Sequence, residues 1–410
     1  MRINAERLWD SLMEMAKIGA TEKGGSSRLA LTLEDKEGRA LFCNWCEALE
    51  MQIQRDKAGN LFARYKGENS DKPPLVMGSH LDTQPKGGRF DGVYGVLAAL
   101  EVVRTLHENH YQPNRDIEIA VWMNEEGARF SPAMMGSSLF IGELQLGDAL
   151  KHQDREGTTL QEALLMTQEA GVLEFQREFD SYFELHIEQG PVLEAESKAI
   201  GVVTGGQGIA WLDLCLSGRA QHAGTTPMQY RKDALFTLAR LMVEIEQSLS
   251  KIDDLLVTMG EVSVQNSSRN TIAGHIDATL DIRHPNFDQL QASIQLVKNI
   301  AQQVSIDKGV EIAINEHWLS PPIPFDPACI QIVSQAVNDL GLSHREIISG
   351  AGHDAIHLAK HCPTTMIFIP CKDGISHNEA ESISHSDCQN GANVLLKSIL
   401  LRDQSLAGGL

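Results

Sequence analysis

The sequence predicts an α/β fold: a mostly parallel sheet with flanking helices, interrupted by an inserted α+β domain of ferredoxin-like pattern. Three observations carry this reading. Compact apolar strands in the first third alternate with helices long enough to serve as parallel crossovers. After glycines 205, 206 and 208 the order becomes strand, helix, strand, strand, helix, strand, the split βαβ pattern. Beyond Ser320-Pro321-Pro322-Ile323-Pro324 the chain returns to helix and strand.

Taken in order, Ala5 to Met15 and Thr32 to Met51 have helical periodicity, with Gly24, Gly25, Ser26 and Ser27 between them. Asn60 to Tyr65 is a short strand after the turn Ala58-Gly59. Pro73 and Pro74 lead into the apolar strand Leu75-Val76-Met77-Gly78, which ends at Ser79-His80. A buried helix, Val93 to Leu106, is entered through Asp91-Gly92. Ile117 to Trp122 is a strand that runs out at Asn124-Glu125-Glu126, and Tyr182 to His186 and Ile200 to Thr204 are two more. Within the insert, the expected strands are Trp211 to Ser217, Leu256 to Val264, His275 to Arg283 and Glu311 to Asn315. Its expected helices are Asp233 to Ser250 and Phe287 to Lys308. The last part, Pro327 to Leu401, contains the buried strand Thr364 to Pro370, and the polar, Gly-rich tail Asp403 to Leu410 is expected to fray. The expected divisions are 1–208, 209–322 and 323–410, with hinges near Gly205–Gly208 and Pro321–Pro324.

Composition narrows the function. Thirty-five Lys and Arg against 55 Asp and Glu leave a net charge of -20, a surface that repels phosphate backbones and anionic lipid. Nucleic acid and membranes are therefore excluded as partners. Seven irregularly spaced cysteines form no disulfide framework, and the lone pair Cys43-x-x-Cys46 is read as two residues on a helix face. Met1 to Lys17 is charged throughout and lacks the apolar core of a signal peptide, so a cytoplasmic location is expected.

Four segments share one grammar, an apolar strand followed by His, Asp or Glu. They are His80-Leu81-Asp82, Asn124-Glu125-Glu126, Glu184-Leu185-His186 and Gly374-Ile375-Ser376-His377. In a parallel α/β sheet such groups collect outside the carboxyl ends of the strands. Asp91 sits among glycines at the start of the next helix, where backbone and ligand can approach closely. Taken singly, each is an ordinary strand end or turn. Together, His80, Asp91, Glu126, His186 and His377 read as a metal site. Three imidazoles and two carboxylates exceed what one catalytic ion needs, and a carboxylate shared by two ions accounts for the surplus. Imidazole and carboxylate ligands without thiolate suit two divalent ions, zinc or else manganese, cobalt or nickel. Asp82 is placed to accept the other N–H of His80, and Glu125, beside a ligand, is left to handle protons.

These motifs carry a resemblance. Ser79-His80-Leu81-Asp82-Thr83, Gly88-x-x-Asp91-Gly92, Asn124-Glu125-Glu126-Gly127 and Ser376-His377-Asn378 are similar to those of the two-metal aminoacylase and carboxypeptidase-like metallopeptidase clan. Glu184 to Gly190, His222-Ala223-Gly224-Thr225-Thr226-Pro227-Met228 and Gly350 to Ala355 resemble its amidohydrolase branch. That branch holds the N-carbamoyl-L-amino-acid hydrolases, β-ureidopropionase and allantoate amidohydrolase. Many peptidases of the clan have Asp where His186 and Asn124 stand, which favours the carbamoyl and ureido branch.

The resemblance implies that His80 and His186 hold one metal and Glu126 and His377 the other, with Asp91 bridging and Glu125 as general base. It implies that His222 stabilises the tetrahedral intermediate, in its own subunit or from the partner. Asn270 and Arg283 would hold a substrate carboxylate, and Gln189 and His353 would make further substrate contacts. The inserted domain would serve as a lid and make a homodimer. The expected reaction is hydrolysis of N-carbamoyl-L-amino acids or N-carbamoyl-β-alanine to the amino acid, ammonia and carbon dioxide. Thr83-Gln84-Pro85 and Val93-Tyr94-Gly95-Val96 lean toward this side, with allantoate hydrolysis as the rival. An aminoacylase, a dipeptidase and a metal-free binding protein on the same fold are the remaining alternatives.

Overall fold

The computed structural model describes residues 1–407, which divide into two units: Met1–Gly205 with the chain from Pro324 onward, and Gly206–Ile323. The chain first lays down β1 (Gln52–Arg55), β2 (Leu61–Tyr65), β3 (Leu75–His80), β4 (Ile117–Trp122), β5 (Ser181–Ile187) and β6 (Ile200–Gly206). The second unit contributes β7 (Gly208–Ser217), β8 (Leu256–Thr258), β9 (Val262–Val264), β10 (His275–His284) and β11 (Glu311–Ser320). Then follow β12 (Ile323–Pro324), β13 (His344–Ser349) and β14 (Thr364–Ile369).

The large sheet runs β1-β2-β4-β3-β5-β14-β6-β12, with β13 beside β6. Its centre, β4, β3, β5 and β14, is parallel. The expected mostly parallel sheet is corrected to a mixed one, because β1–β2, β2–β4 and β14–β6 pair antiparallel. The Asp56–Asn60 turn, with Gly59 at φ 86°, is too short for a crossover and closes β1 on β2 as a hairpin.

Alternation along the central strands fills two cores. Ile117, Ile119 and Val121 of β4 enter one, and Ala120 and Trp122 the other. Helices Ala5–Met15, Val93–Glu108, Pro327–Asp339 and His385–Ala407 complete the first core. The Val93–Glu108 helix lies so close to the sheet that a Cβ on Gly95 would stand 2.3 Å from the Leu185 carbonyl oxygen. The tail expected to fray from Asp403 is instead helical to Ala407. The buried Asp403 carboxylate accepts hydrogen bonds from the Tyr111 hydroxyl and the Asn114 and Arg115 amides, which fixes this last turn. Residues 408–410 of that tail lie outside the described residues.

The second unit is a sheet in the order β11-β7-β10-β8, with β9 beside β10, and its strands pair antiparallel. Leu212, Leu214, Leu216, Ile276 and Ile282 meet Leu238, Leu241 and Val297 from helices Ala234–Leu249 and Phe287–Lys308. The single strand expected over Leu256 to Val264 is two short ones. The break falls at Met259-Gly260-Glu261, where the Glu261 amide donates to the Thr279 hydroxyl. Among the described residues no helix is long and apolar enough to cross a membrane.

Candidate metal centre

The carboxyl ends of the parallel strands deliver one cluster. β3 ends on His80, Glu125 and Glu126 follow β4, His186 lies in β5, and His377 is in the loop after β14. Asp91 stands in the middle. Its Oδ1 is 3.1 Å from His186 Nε2 and 3.6 Å from His80 Nε2, and its Oδ2 is 3.5 Å from His377 Nε2. Glu126 Oε2 is 3.3 Å from His377 Nε2, whereas Glu125 Oε2 is 3.4 Å from His80 Nε2. The adjacent carboxylates thus face different imidazoles. Three groups with ligand chemistry result: His80–Asp91–His186 and Asp91–Glu126–His377, which share Asp91, and Glu184–His186–His353 behind them. All but His377 have buried side chains; that imidazole is 52% exposed.

The imidazoles are aimed by their far nitrogens. His80 Nδ1–H donates to the Asp82 carbonyl at 2.8 Å and His186 Nδ1–H to the Ile187 carbonyl at 2.9 Å. Each bond fixes a tautomer that leaves Nε2 as an acceptor turned toward Asp91, and that of His186 also accepts the Gly92 amide at 3.2 Å. The Asp82 group that accepts from His80 is its carbonyl, and its carboxylate Oδ1 lies 3.8 Å away. That carboxylate accepts the Glu125 and Glu126 amides at 3.3 and 3.2 Å, so it anchors the turn beyond β4. Asn124 at φ 54° and Gly127 at φ 63° make this turn sharp enough to present both glutamates.

Sequence reasoning missed three supports. Glu381, buried, accepts the Phe90 and Asp91 amides on Oε1 at 2.9 and 3.1 Å, and its Oε2 is 3.0 Å from the Ser376 hydroxyl. Ser376 Oγ is also 2.9 Å from Asp91 Oδ2. Gln84 donates from its amide side chain and its backbone to Glu126, at 2.8 and 3.1 Å. The one signal for Glu381 was Gly88, where a Cβ would stand 2.0 Å from the Glu381 carboxyl.

The electrostatics favour a cation. Burial pulls the His80 imidazole down, but the carboxylates of Glu125, Asp91 and Asp82 outweigh it and hold it well above its ordinary range. Burial pushes Asp91 up, yet His186 and His80 bring it well below the usual carboxylate range. Burial drives Glu125 well up, with Asp354, Glu126 and Asp91 adding and His80 opposing. Glu126 rises to about 8 through burial and the Asp91 charge, and Glu381 to about 7 for the same two reasons. The ion-pair partners of Asp91, Glu125 and Glu126 are imidazoles, which neutralise carboxylates only when protonated. Imidazole Nε2 atoms facing crowded buried carboxylates fit divalent ions by chemistry and by aim.

Other expected residues are placed as follows. Gln189, at φ 59°, donates from Nε2 to Asp91 Oδ2 at 2.8 Å and leaves its buried Oε1 without a partner. The buried His353 ring packs edge-on to His186, with centroids 4.5 Å apart, and its Nε2 has no hydrogen-bond partner. His222, Asn270 and Arg283 belong to the second unit. His222 is exposed and bridges Thr271, and the Ala223 amide donates to the Asn270 carbonyl at 2.8 Å. Arg283 is held by Asp281, which accepts from Nη2 at 2.7 Å and from Nε at 3.0 Å.

An imidazole–carboxylate cluster at the carboxyl edge of an α/β sheet defines a metallohydrolase architecture. The chain matches peptidase family M20/M25/M40 over residues 76–401 and belongs to it. It is 43% identical to an N-carbamoyl-L-amino-acid amidohydrolase of Rhizobium meliloti, over 97% of this chain and 96% of that one. Identity to an allantoate amidohydrolase of Bacillus subtilis is 31%, over 94% and 95% of the two chains. A crystal structure of a hydantoinase/carbamoylase family amidase from Burkholderia ambifaria matches with a TM-score of 0.94 and 49% identity, covering 98% of each chain.

Gly92 tests the aim of the imidazoles. At φ 67° it lies so close that a Cβ would stand 2.3 Å from the His80 ring. Gly92→Ala should weaken zinc or manganese retention by about tenfold or more. Metal analysis after dialysis against graded chelator reads this; retention equal to the parent contradicts the geometry.

Proposed function

We propose that this chain is an amidohydrolase that cleaves the carbamoyl group of N-carbamoyl-L-amino acids, giving the amino acid, ammonia and carbon dioxide. The observation that carries the reading is its end-to-end 43% identity to a curated enzyme of that name. The shared carboxylate Asp91 between two ligand groups supports a two-metal form of the reaction. Allantoate hydrolysis is the second reading, favoured by the 31% identity to an enzyme of that activity.

In the proposed assignment His80 and His186 would hold one ion and Glu126 and His377 the other, with Asp91 available to both. Zinc, manganese, cobalt or nickel fits these ligands. Such ions, when bound, polarise the scissile carbonyl and make water a stronger acid. Glu125, beside His80 and facing away from the Glu126 ligand position, takes the proton of the attacking water and returns it to the leaving nitrogen. His222 stabilises the developing oxyanion. Asn270 and Arg283 hold the substrate carboxylate; the bidentate pairing with Asp281 sets the guanidinium orientation before substrate arrives. The orphaned Gln189 Oε1 and His353 Nε2 offer hydrogen bonds to the ureido group.

The second unit makes a homodimer in this proposal. Leu235, Phe236, Met242 and Val243 on helix Ala234–Leu249 are large, apolar and 42% to 64% exposed, a patch that fits burial against a second copy. Phe236→Glu is expected to shift the protein from dimer to monomer in sedimentation equilibrium. A parent that sediments as a monomer at all concentrations overturns the dimer.

For the chemistry, Glu125→Gln should lose at least about 10²-fold in kcat while keeping its metal. Ammonia release from N-carbamoyl-L-amino acids, N-carbamoyl-β-alanine and allantoate identifies the substrate. Preference for allantoate selects the second reading, and loss of metal from the Gln variant moves Glu125 into the ligand set.

A further inference from the structure

A second cluster of metal-ligating atoms lies in the Gly206–Ile323 unit, among residues that the proposed hydrolysis does not use. Cys215 of β7 stands directly opposite Asp277 of β10 in the antiparallel register, and Ser217 opposite His275. Because residues two apart share a strand face, His275 and Asp277 project on the same side as Cys215. This is the face opposite the apolar core, where the neighbouring Leu214, Leu216, Ile276 and Ala278 point the other way. A cleft of about 440 Å³ opens there, lined by Asp213, Cys215, Glu261 and Asp277 among others.

Three ligand atoms converge beside it, two of them, on Cys215 and Asp277, from residues that line it. His275 Nε2 is 3.7 Å from Cys215 Sγ and 3.2 Å from Asp277 Oδ1, and all three atoms lie within 4.8 Å of one another. Gln265 donates to the other Asp277 oxygen, Oδ2, at 2.7 Å, which turns Oδ1 toward the cluster. A nucleophilic relay would place the thiol and the carboxylate on opposite nitrogens of the imidazole. Here both face the same Nε2, which carries one proton or one lone pair. His275 Nε2 and Asp277 Oδ1 are at hydrogen-bond distance, and the approach of Sγ to the same nitrogen also fits ligands around an ion. In a tetrahedral zinc site with Zn–S about 2.3 Å and Zn–N and Zn–O about 2.0–2.1 Å, the S···N and N···O edges are about 3.5 and 3.3 Å. The observed separations match both edges.

We propose that Cys215, His275 and Asp277 form a second, accessible site for a soft or borderline divalent cation of the zinc and cadmium class. With three protein ligands, the fourth position faces the cleft and is open to water or an exchangeable ligand. The thiolate separates this site chemically from the Asp91 cluster, whose ligands are nitrogen and oxygen alone. Bound metal would also link β7 to β10 and shield Cys215, the single cysteine among seven that is not buried.

The test adds cadmium(II) to the intact protein already loaded at its Asp91 cluster, and follows thiolate-to-metal charge-transfer absorption in the ultraviolet. One further equivalent should bind with a charge-transfer band, and alkylation of Cys215 by iodoacetamide should slow by about tenfold or more. Cys215→Ser should abolish the band, and Asp277→Asn, which keeps the side-chain shape, should weaken binding by about tenfold or more while the band persists at saturation. Circular dichroism of each variant checks that it is folded. No band on the parent, or a band that survives Cys215→Ser in folded protein, overturns the site.

Discussion

Asp91 is a buried carboxylate with imidazoles on both of its oxygens, and the organisation of the first unit follows from keeping it there. Its amide and that of Phe90 are fixed by Glu381, while Ser376 and Gln189 meet its Oδ2. An isolated buried carboxylate is costly, so each neighbouring element supplies compensation. β3 and β5 contribute His80 and His186, and the loop after β14 contributes His377. The price of closeness is paid in backbone freedom. Gly92, Asn124, Gln189 and His377 all adopt positive φ around the cluster, which is where local strain is expected when geometry serves a site.

Residues hydrogen-bonded behind the cluster make the arrangement rigid. Asp82 ties the ends of two adjacent parallel strands together, its carbonyl on His80 at the end of β3 and its carboxylate on the amides after β4. Gln84 then holds Glu126 from the same segment. One short stretch, His80 to Gln84, therefore orients an imidazole, two backbone amides and a carboxylate. The division between Glu125 and Glu126 follows from that anchoring, because the turn sends one side chain to His80 and the next to His377. Within the second unit, by contrast, the thiol-containing cluster rests on simple cross-strand register and one glutamine.

Much of this was legible in the sequence because His80, Glu125, Glu126 and His186 stand at or just past the end of an apolar strand, whereas Asp91 precedes a helix and His377 lies in the loop beyond β14. The strand Ile117–Trp122 and the helix Phe287–Lys308 were readable for the same reason, as long periodic segments. What was not legible depended on distant partners. Glu381 is an acid in a polar loop until folding brings it to the Phe90 and Asp91 amides, nearly three hundred residues earlier in the chain. Asp82 was recognised as a partner of His80, but sequence does not distinguish its carbonyl from its carboxylate. The antiparallel flanks of the large sheet were missed because helix–strand alternation reports the crossovers and is silent on the edges. Asp403 looked like part of a free tail, since its capture by Asn114 and Tyr111 is also a tertiary event.

In the proposed metal centre Asp91 is shared by two ions. Manganese(II) titration of metal-free protein, followed by electron paramagnetic resonance, tests it most directly. A shared Asp91 requires saturation at two ions with a spin-coupled signal, as expected for ions about 3.5–4 Å apart. Saturation at one ion, or two ions giving uncoupled mononuclear spectra, would contradict it.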